Sequence, residues 1–145
     1  MGSIVVGIDF SRVTDLLLQV ASEQAKAFSD EVYLIHVAEP DPEFVGLDAG
    51  PPVVRDQLAA DLHKGHAKLQ QLSVELKKQG CNSTALLLQG AVAELLAEQG
   101  TRLDARLLIV GSHRHGHLRD ALIGSTVRNL MRLTAIPVLV VPARN

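Results

Sequence analysis

Tryptophan is absent from this chain of 145 residues, and one tyrosine and three phenylalanines bring the aromatic share to only 3%. The core must then be built from Leu, Val, Ile and Ala, which argues against a site that stacks bases on a platform of rings. Cys81 is the only cysteine. That rules out an internal disulfide framework and a cysteine-based zinc cage, and leaves Cys81 as a small, partly buried apolar side chain. An excess of one charge is missing too: 14 basic against 16 acidic residues give a formal charge of -2, so no electrostatic footprint for nucleic acid or an anionic membrane is visible. No apolar run approaches the roughly 18 residues of a membrane span, and the N-terminus enters Ser3-Ile4-Val5-Val6 without a signal-peptide layout. A cytoplasmic protein is expected.

What is present is an alternation. With 47% hydrophobic and 21% charged residues, the length suits one compact domain over residues 1–145. Short runs rich in Val, Ile and Leu, at residues 4–8, 31–37, 83–88, 106–110 and 137–141, are almost continuously apolar, as strands covered on both faces are. Helical periods lie between them. Val13, Leu16, Leu17, Val20, Ala21 and Ala27 form one apolar stripe, with Ser11 placed to cap its start. Leu58, Leu62, Leu69, Leu72 and Leu76 share one face of a helix over about 57–79 that Gly80 stops, with His66 on or near that stripe. A shorter helix over 92–99 ends at Gly100, and a last one runs from Ser125 to about residue 133. Strands alternating with helices predict an α/β fold, a doubly wound five-stranded parallel sheet with helices on both faces. Residues 39–54 break the spacing: Pro40, Pro42, Gly46, Gly50, Pro51 and Pro52 predict a long loop at the carboxyl end of strand two, where open α/β sheets bind ligands.

Two familiar phosphate loops are missing. No Gly-x-x-x-x-Gly-Lys-Ser/Thr occurs, and no Gly-x-Gly-x-x-Gly follows strand one. Instead Val110-Gly111-Ser112-His113-Arg114-His115-Gly116 follows strand four, and Ile123-Gly124-Ser125-Thr126 opens the last helix. Glycines let backbone N–H groups approach a ligand, and a helix start with a serine hydroxyl favours a phosphate.

This stretch resembles the adenine-nucleotide signature of the universal stress protein family: Gly, two residues, Gly, nine residues, Gly, then Ser or Thr. Gly111, Gly124 and Ser125 stand at the family's distances, and Arg114 replaces the middle glycine. Ile4-Val5-Val6-Gly7-Ile8-Asp9-Phe10-Ser11 is similar to the family's first strand and Asp-x-Ser turn. His36-Val37 is similar to the end of its second strand, and Pro137-Val138-Leu139-Val140-Val141-Pro142 to its last. The resemblance implies strand order 3-2-1-4-5 and a site for AMP, ADP or ATP, with Mg possible beside ATP. Position by position it implies that Asp9 lies near the adenine and ribose, that Val37 meets the adenine edge through its backbone, and that Gly111, Gly124, Ser125 and Thr126 contact ribose and phosphates. Ile8 and Val110 would supply apolar walls. Arg114 either obstructs approach to the β- and γ-phosphates or binds a phosphate with its own fork of donors, so AMP or ADP should be tolerated at least as well as ATP. Strand five, Val138-Leu139-Val140-Val141, would be an uncharged sheet edge, and the resemblance implies that it pairs across a homodimer.

His113, His115 and His117 are close in sequence, but nothing in their run supplies the further ligands of a structural zinc site, and no metal site is assigned. His36 reads as a satisfied histidine at a strand end. No Gly-x-Ser-x-Gly elbow or spaced acid and base pair occurs, so no catalytic residue is assigned. The expected function is a dimeric, nucleotide-binding stress-response regulator or sensor. The alternatives are a dimeric interaction module that has lost nucleotide and a slow Mg-dependent ATPase or phosphotransferase.

Overall fold

The computed structural model describes residues 2–38, 52–112 and 124–143. Five strands, β1 (Ser3–Gly7), β2 (Glu31–Ala38), β3 (Ser83–Gln89), β4 (Ala105–Ser112) and β5 (Val138–Pro142), alternate with four helices, α1 (Thr14–Phe28), α2 (Pro52–Lys78), α3 (Val92–Arg102) and α4 (Ser125–Leu133). The strands form one sheet in the order β3-β2-β1-β4-β5, and every pairing is parallel. This is the expected doubly wound arrangement, with strand boundaries within two residues of those read from the apolar runs.

Side chains alternate across the sheet and fill two separate cores. Ile4, Val6, Ile8, Val32, Leu34 and Ile109 point to the layer of α1 and α2, where Leu17, Ala21, Leu69 and Leu76 cover them. Val5, Ile35, Val37, Leu108 and Val110 point to the layer of α3 and α4, against Leu96, Ala97, Val127 and Leu130. All are aliphatic, as the scarcity of rings requires. Cys81 joins the first core, 4% exposed, with its Sγ 3.6 Å from the Ser22 hydroxyl.

Several local expectations need correction. Ser11 does not cap α1; the cap position belongs to Val13, without a side-chain hydrogen bond. Phe10 adopts a positive φ of 59°, which turns the chain so that Ser11 sits two residues before the cap, where its carbonyl accepts the Thr14 N–H and hydroxyl at 3.1 and 2.7 Å. Ala27 is exposed, and the buried line of α1 runs through Leu17, Ala21 and Ala25 instead. α2 begins at Pro52, inside the segment read as loop. Proline breaks a helix interior but suits its first position, where the missing N–H has no intrahelical partner. His66 lies off the buried stripe, exposed, with Nε2 3.2 Å from the Gln70 amide nitrogen. Gly100 does not end α3 but lies within it. A Cβ there would stand 3.0 Å from both Ile136 Cδ1 and Leu108 Cδ2, so the glycine lets the helix approach β4 closely. Gly80 does stop α2, with φ of 90°.

The amino end of the sheet is tied by a buried charge. The Asp30 side chain is fully buried, and its Oδ1 accepts hydrogen bonds from the Gly2 N–H at 2.9 Å and Arg106 Nη2 at 3.1 Å. Its Oδ2 lies 2.8 Å from Arg106 Nε, and the guanidinium rests over the Phe28 ring, 4.8 Å from its centroid. Removing the cation leaves a carboxylate out of water with one backbone donor. Arg106→Ala should therefore lower unfolding free energy by roughly 1.5–3 kcal/mol, seen as a lower urea midpoint with an unchanged slope.

Candidate functional site

β1 is shorter than its neighbours. Its register pairs Gly7 with Ile35 and Val6 with Ile109, yet β2 continues to Ala38 and β4 to Ser112. Both outer strands overrun the central one, leaving a slot where its next residues would lie. The chain leaves β1 toward α1 on one face, while α3 and α4 lie on the other, so the slot opens at the point where strand order reverses.

A cavity of about 160 Å³ occupies this place. Gly7 and Ile8 form its floor, Ile35 and Val37 one wall, and Val110 and Gly111 the other; Val92 and Leu96 close the helical side, and Asp9 and Thr126 also line it. A Cβ on Gly7 would stand 3.0 Å from Leu96 Cδ1 and 3.4 Å from Val110 Cγ1, so the glycine keeps the floor open. A second cavity of about 430 Å³ shares Val92 and Thr126 with the first. It lies between the starts of two helices, lined by Gly90, Ala91 and Glu94 near α3 and by Ser125 and Asn129 on α4.

The first cavity thus brings together Ile8, Asp9, Val37, Val110, Gly111 and Thr126 from the sequence reading. Ser125 lines the adjoining cavity, and Gly124 precedes it as the helix cap. Arg114, the three clustered histidines and loop residues 39–51 lie outside the described residues. Gly7, Ile35, Val92 and Leu96 were not singled out from sequence. A glycine within an apolar strand is the sequence signal by which a close approach there can be found.

Asp9 is exposed, and its Oδ1 accepts the Ser11 N–H at 3.0 Å, an Asx turn that fixes the chain as it leaves the slot. α4 starts at Gly124 with no side-chain cap and no acidic residue in its first turn. Among the described residues no side chain caps the N–H groups there, and with the positive end of the helix dipole they make that start chemically suited to an anion. An apolar slot beside a helix start suited to negative charge is the resulting arrangement.

The two signature glycines differ in what they do. At Gly111 a Cβ would stand 2.5 Å from Val13 Cγ1, on the α1 side of the sheet, so this glycine is required by packing. At Gly124, among the described residues, no atom lies within 4 Å of a Cβ position, and φ is -57°. Among the described residues, neither packing nor backbone conformation asks for glycine there.

A parallel sheet in this order, covered by helices on both faces and with an apolar slot at the reversal of strand order, places the chain in the class of doubly wound α/β domains, whose candidate ligand site lies at that reversal. Residues 1–142 match the model of the universal stress protein family, and the chain belongs to that family. It is 30% identical over 140 residues to a universal stress protein of Methanocaldococcus jannaschii, covering 95% of this chain and 80% of the relative. The fold is shared with a universal stress protein solved in complex with cAMP (TM-score 0.71, 22% identity, 99% of this chain and 98% of that one). It is shared too with one from Archaeoglobus fulgidus in complex with dAMP (TM-score 0.66, 19% identity, 97% of each chain).

The contrast between the glycines is measurable by urea unfolding. Gly111→Ala should cost about 1–3 kcal/mol through the forced contact with Val13. Gly124→Ser, which keeps a favourable helix cap, should change stability by less than about 0.5 kcal/mol.

Proposed function

We propose that the chain is a single adenine-nucleotide-binding domain, acting as a dimeric regulator or sensor in the cytoplasmic stress response. The observation that carries the reading is the slot above Gly7, apolar on both walls and joined through Thr126 to the open start of α4. The adenine lies between Val37 and Val110 with Ile8 beneath it, and the Asp9 carboxylate, an acceptor, faces the ribose hydroxyls. Gly111, Gly124, Ser125 and Thr126 contact ribose and phosphates, with backbone N–H groups supplying the donors. The relatives solved with cAMP and dAMP support an adenine nucleotide as the ligand class.

AMP and ADP are accepted at least as well as ATP, with Mg accompanying the triphosphate, because Arg114 stands where the family's signature has its middle glycine. Calorimetric titration of the purified protein with the three nucleotides should give binding with AMP and ADP at least as tight as with ATP. No heat with any of them overturns the proposal. Arg114→Gly should strengthen ATP relative to AMP if the side chain obstructs the phosphates, whereas weaker binding of all three would identify Arg114 as a ligand.

The dimer forms through β5, which among the described residues pairs with β4 alone and lies at the sheet edge opposite β3. Its apolar residues Val138, Leu139 and Val140 are only partly buried, and a second copy pairing there satisfies the open edge. Light scattering at micromolar concentration should report twice the chain mass; a monomer counts against this part.

A further inference from the structure

We infer that His36, which does not line the cavity, is a positioning residue that keeps the Val37 amide available to the adenine edge and so sets base specificity; the inference rests on the nucleotide reading above. The Ile8 N–H donates to the Ile35 carbonyl at 2.8 Å, which places the Ile35 peptide groups on the β1 side of β2. Alternate residues of a strand direct their peptide groups to the same edge, so those of Val37 face the same side. The next rung of a regular parallel ladder would run from the Val37 N–H to the Ile8 carbonyl. Among the described residues that rung is absent, and the Ile8 carbonyl is held at 2.7 Å by the His36 ring nitrogen Nδ1. A carbonyl only accepts, so Nδ1 carries the proton.

The same ring anchors the following turn. Phe10, at φ of 59°, holds a backbone conformation that a bulky side chain adopts only under strain. Its ring packs against the His36 imidazole with centroids 4.7 Å apart, and the Lys68 ammonium lies 5.7 Å from its centroid. Gly65 of α2 faces the pair; a Cβ there would be 4.0 Å from both rings. His36 therefore holds the residues on either side of Asp9, the carbonyl of Ile8 and the ring of Phe10. It does so from the face of α2, while the cavity opens on the face of α3.

With its ladder partner engaged by the imidazole, the Val37 N–H is left to donate to an acceptor nitrogen of adenine, and the Val37 carbonyl to accept from the exocyclic amine. Hypoxanthine, which carries a ring N–H and a carbonyl oxygen at the corresponding positions, mismatches both.

The test compares wild type, His36→Ala and His36→Asn, whose side-chain amide nitrogen stands as far from Cα as Nδ1 does. Titration with AMP and IMP is combined with amide hydrogen exchange of Val37 in the ligand-free protein. Wild type should prefer AMP and exchange Val37 quickly. His36→Ala should weaken AMP about tenfold, narrow the preference over IMP and slow Val37 exchange as the rung to Ile8 closes, and His36→Asn should restore most of both. If wild type binds neither nucleotide, the functional reading fails and this one with it. If wild type prefers AMP and His36→Ala does so equally, the role of His36 is overturned while the nucleotide site stands. Slow Val37 exchange in ligand-free wild type overturns the inference even if His36→Ala does not fold.

Discussion

The early end of β1 is the constraint on which the rest of this architecture depends. A strand of five residues runs between two of eight, and hydrogen bonds along both its edges fix it at the centre of the sheet. Ile4 and Val6 are fully buried on one face and Val5 is nearly so on the other, so the register cannot slip without exposing an entire apolar set. Once β1 is held in this way, the overrun of β2 and β4 produces two facing walls with no strand between them. A slot of this origin has an apolar lining because it continues the core, and polar inner edges because its walls, paired outward to β3 and β5, extend past the end of β1. No dedicated binding loop is needed to create either property.

The fold was legible because both of its periods are strong. Five apolar runs separated by helical stripes leave little choice beyond a parallel sheet covered on both faces, and the strand order followed from the family resemblance. The misreadings share one cause, which is that a residue's local preference was taken without its neighbours. Pro52 was counted as a breaker although a helix accepts proline in its first turn. Gly100 was counted as a stop although it serves a contact with Leu108 and Ile136, distant in sequence. Ser11 has the chemistry of a cap, but the turn set by the backbone of Phe10 displaces it. Such effects depend on tertiary contacts, which a one-dimensional pattern does not carry.

The site was legible to a lesser degree and for a different reason. The family resemblance brought Asp9, Val37, Val110, Gly111 and Thr126 toward one place, and all five line the slot. It could not distinguish Gly111, whose missing Cβ makes room for Val13, from Gly124, whose Cβ position has no atom of the described residues within 4 Å. Nor could it find Leu96 or Ile35, which look like any other core residue until the end of β1 exposes them to a cavity.

These contrasts divide the two faces of the sheet by task. On the side of α1 and α2, Val13 packs against Gly111, His36 holds the Ile8 carbonyl, and the rings of Phe10 and His36 meet beneath Gly65. These contacts fix the backbone at the ends of β1, β2 and β4 but leave the cavity free. On the side of α3 and α4, Val37, Val110 and Leu96 provide surface without polar side-chain groups. On the proposed nucleotide reading, recognition there rests on peptide groups, the start of α4 and the Asp9 carboxylate, and peptide groups discriminate only when the strand ends carrying them are rigid. With so few aromatic rings available for stacking, the selectivity proposed for this site depends on how firmly the opposite face holds the backbone. The aliphatic composition and the polar contacts behind the sheet are in this sense parts of one solution.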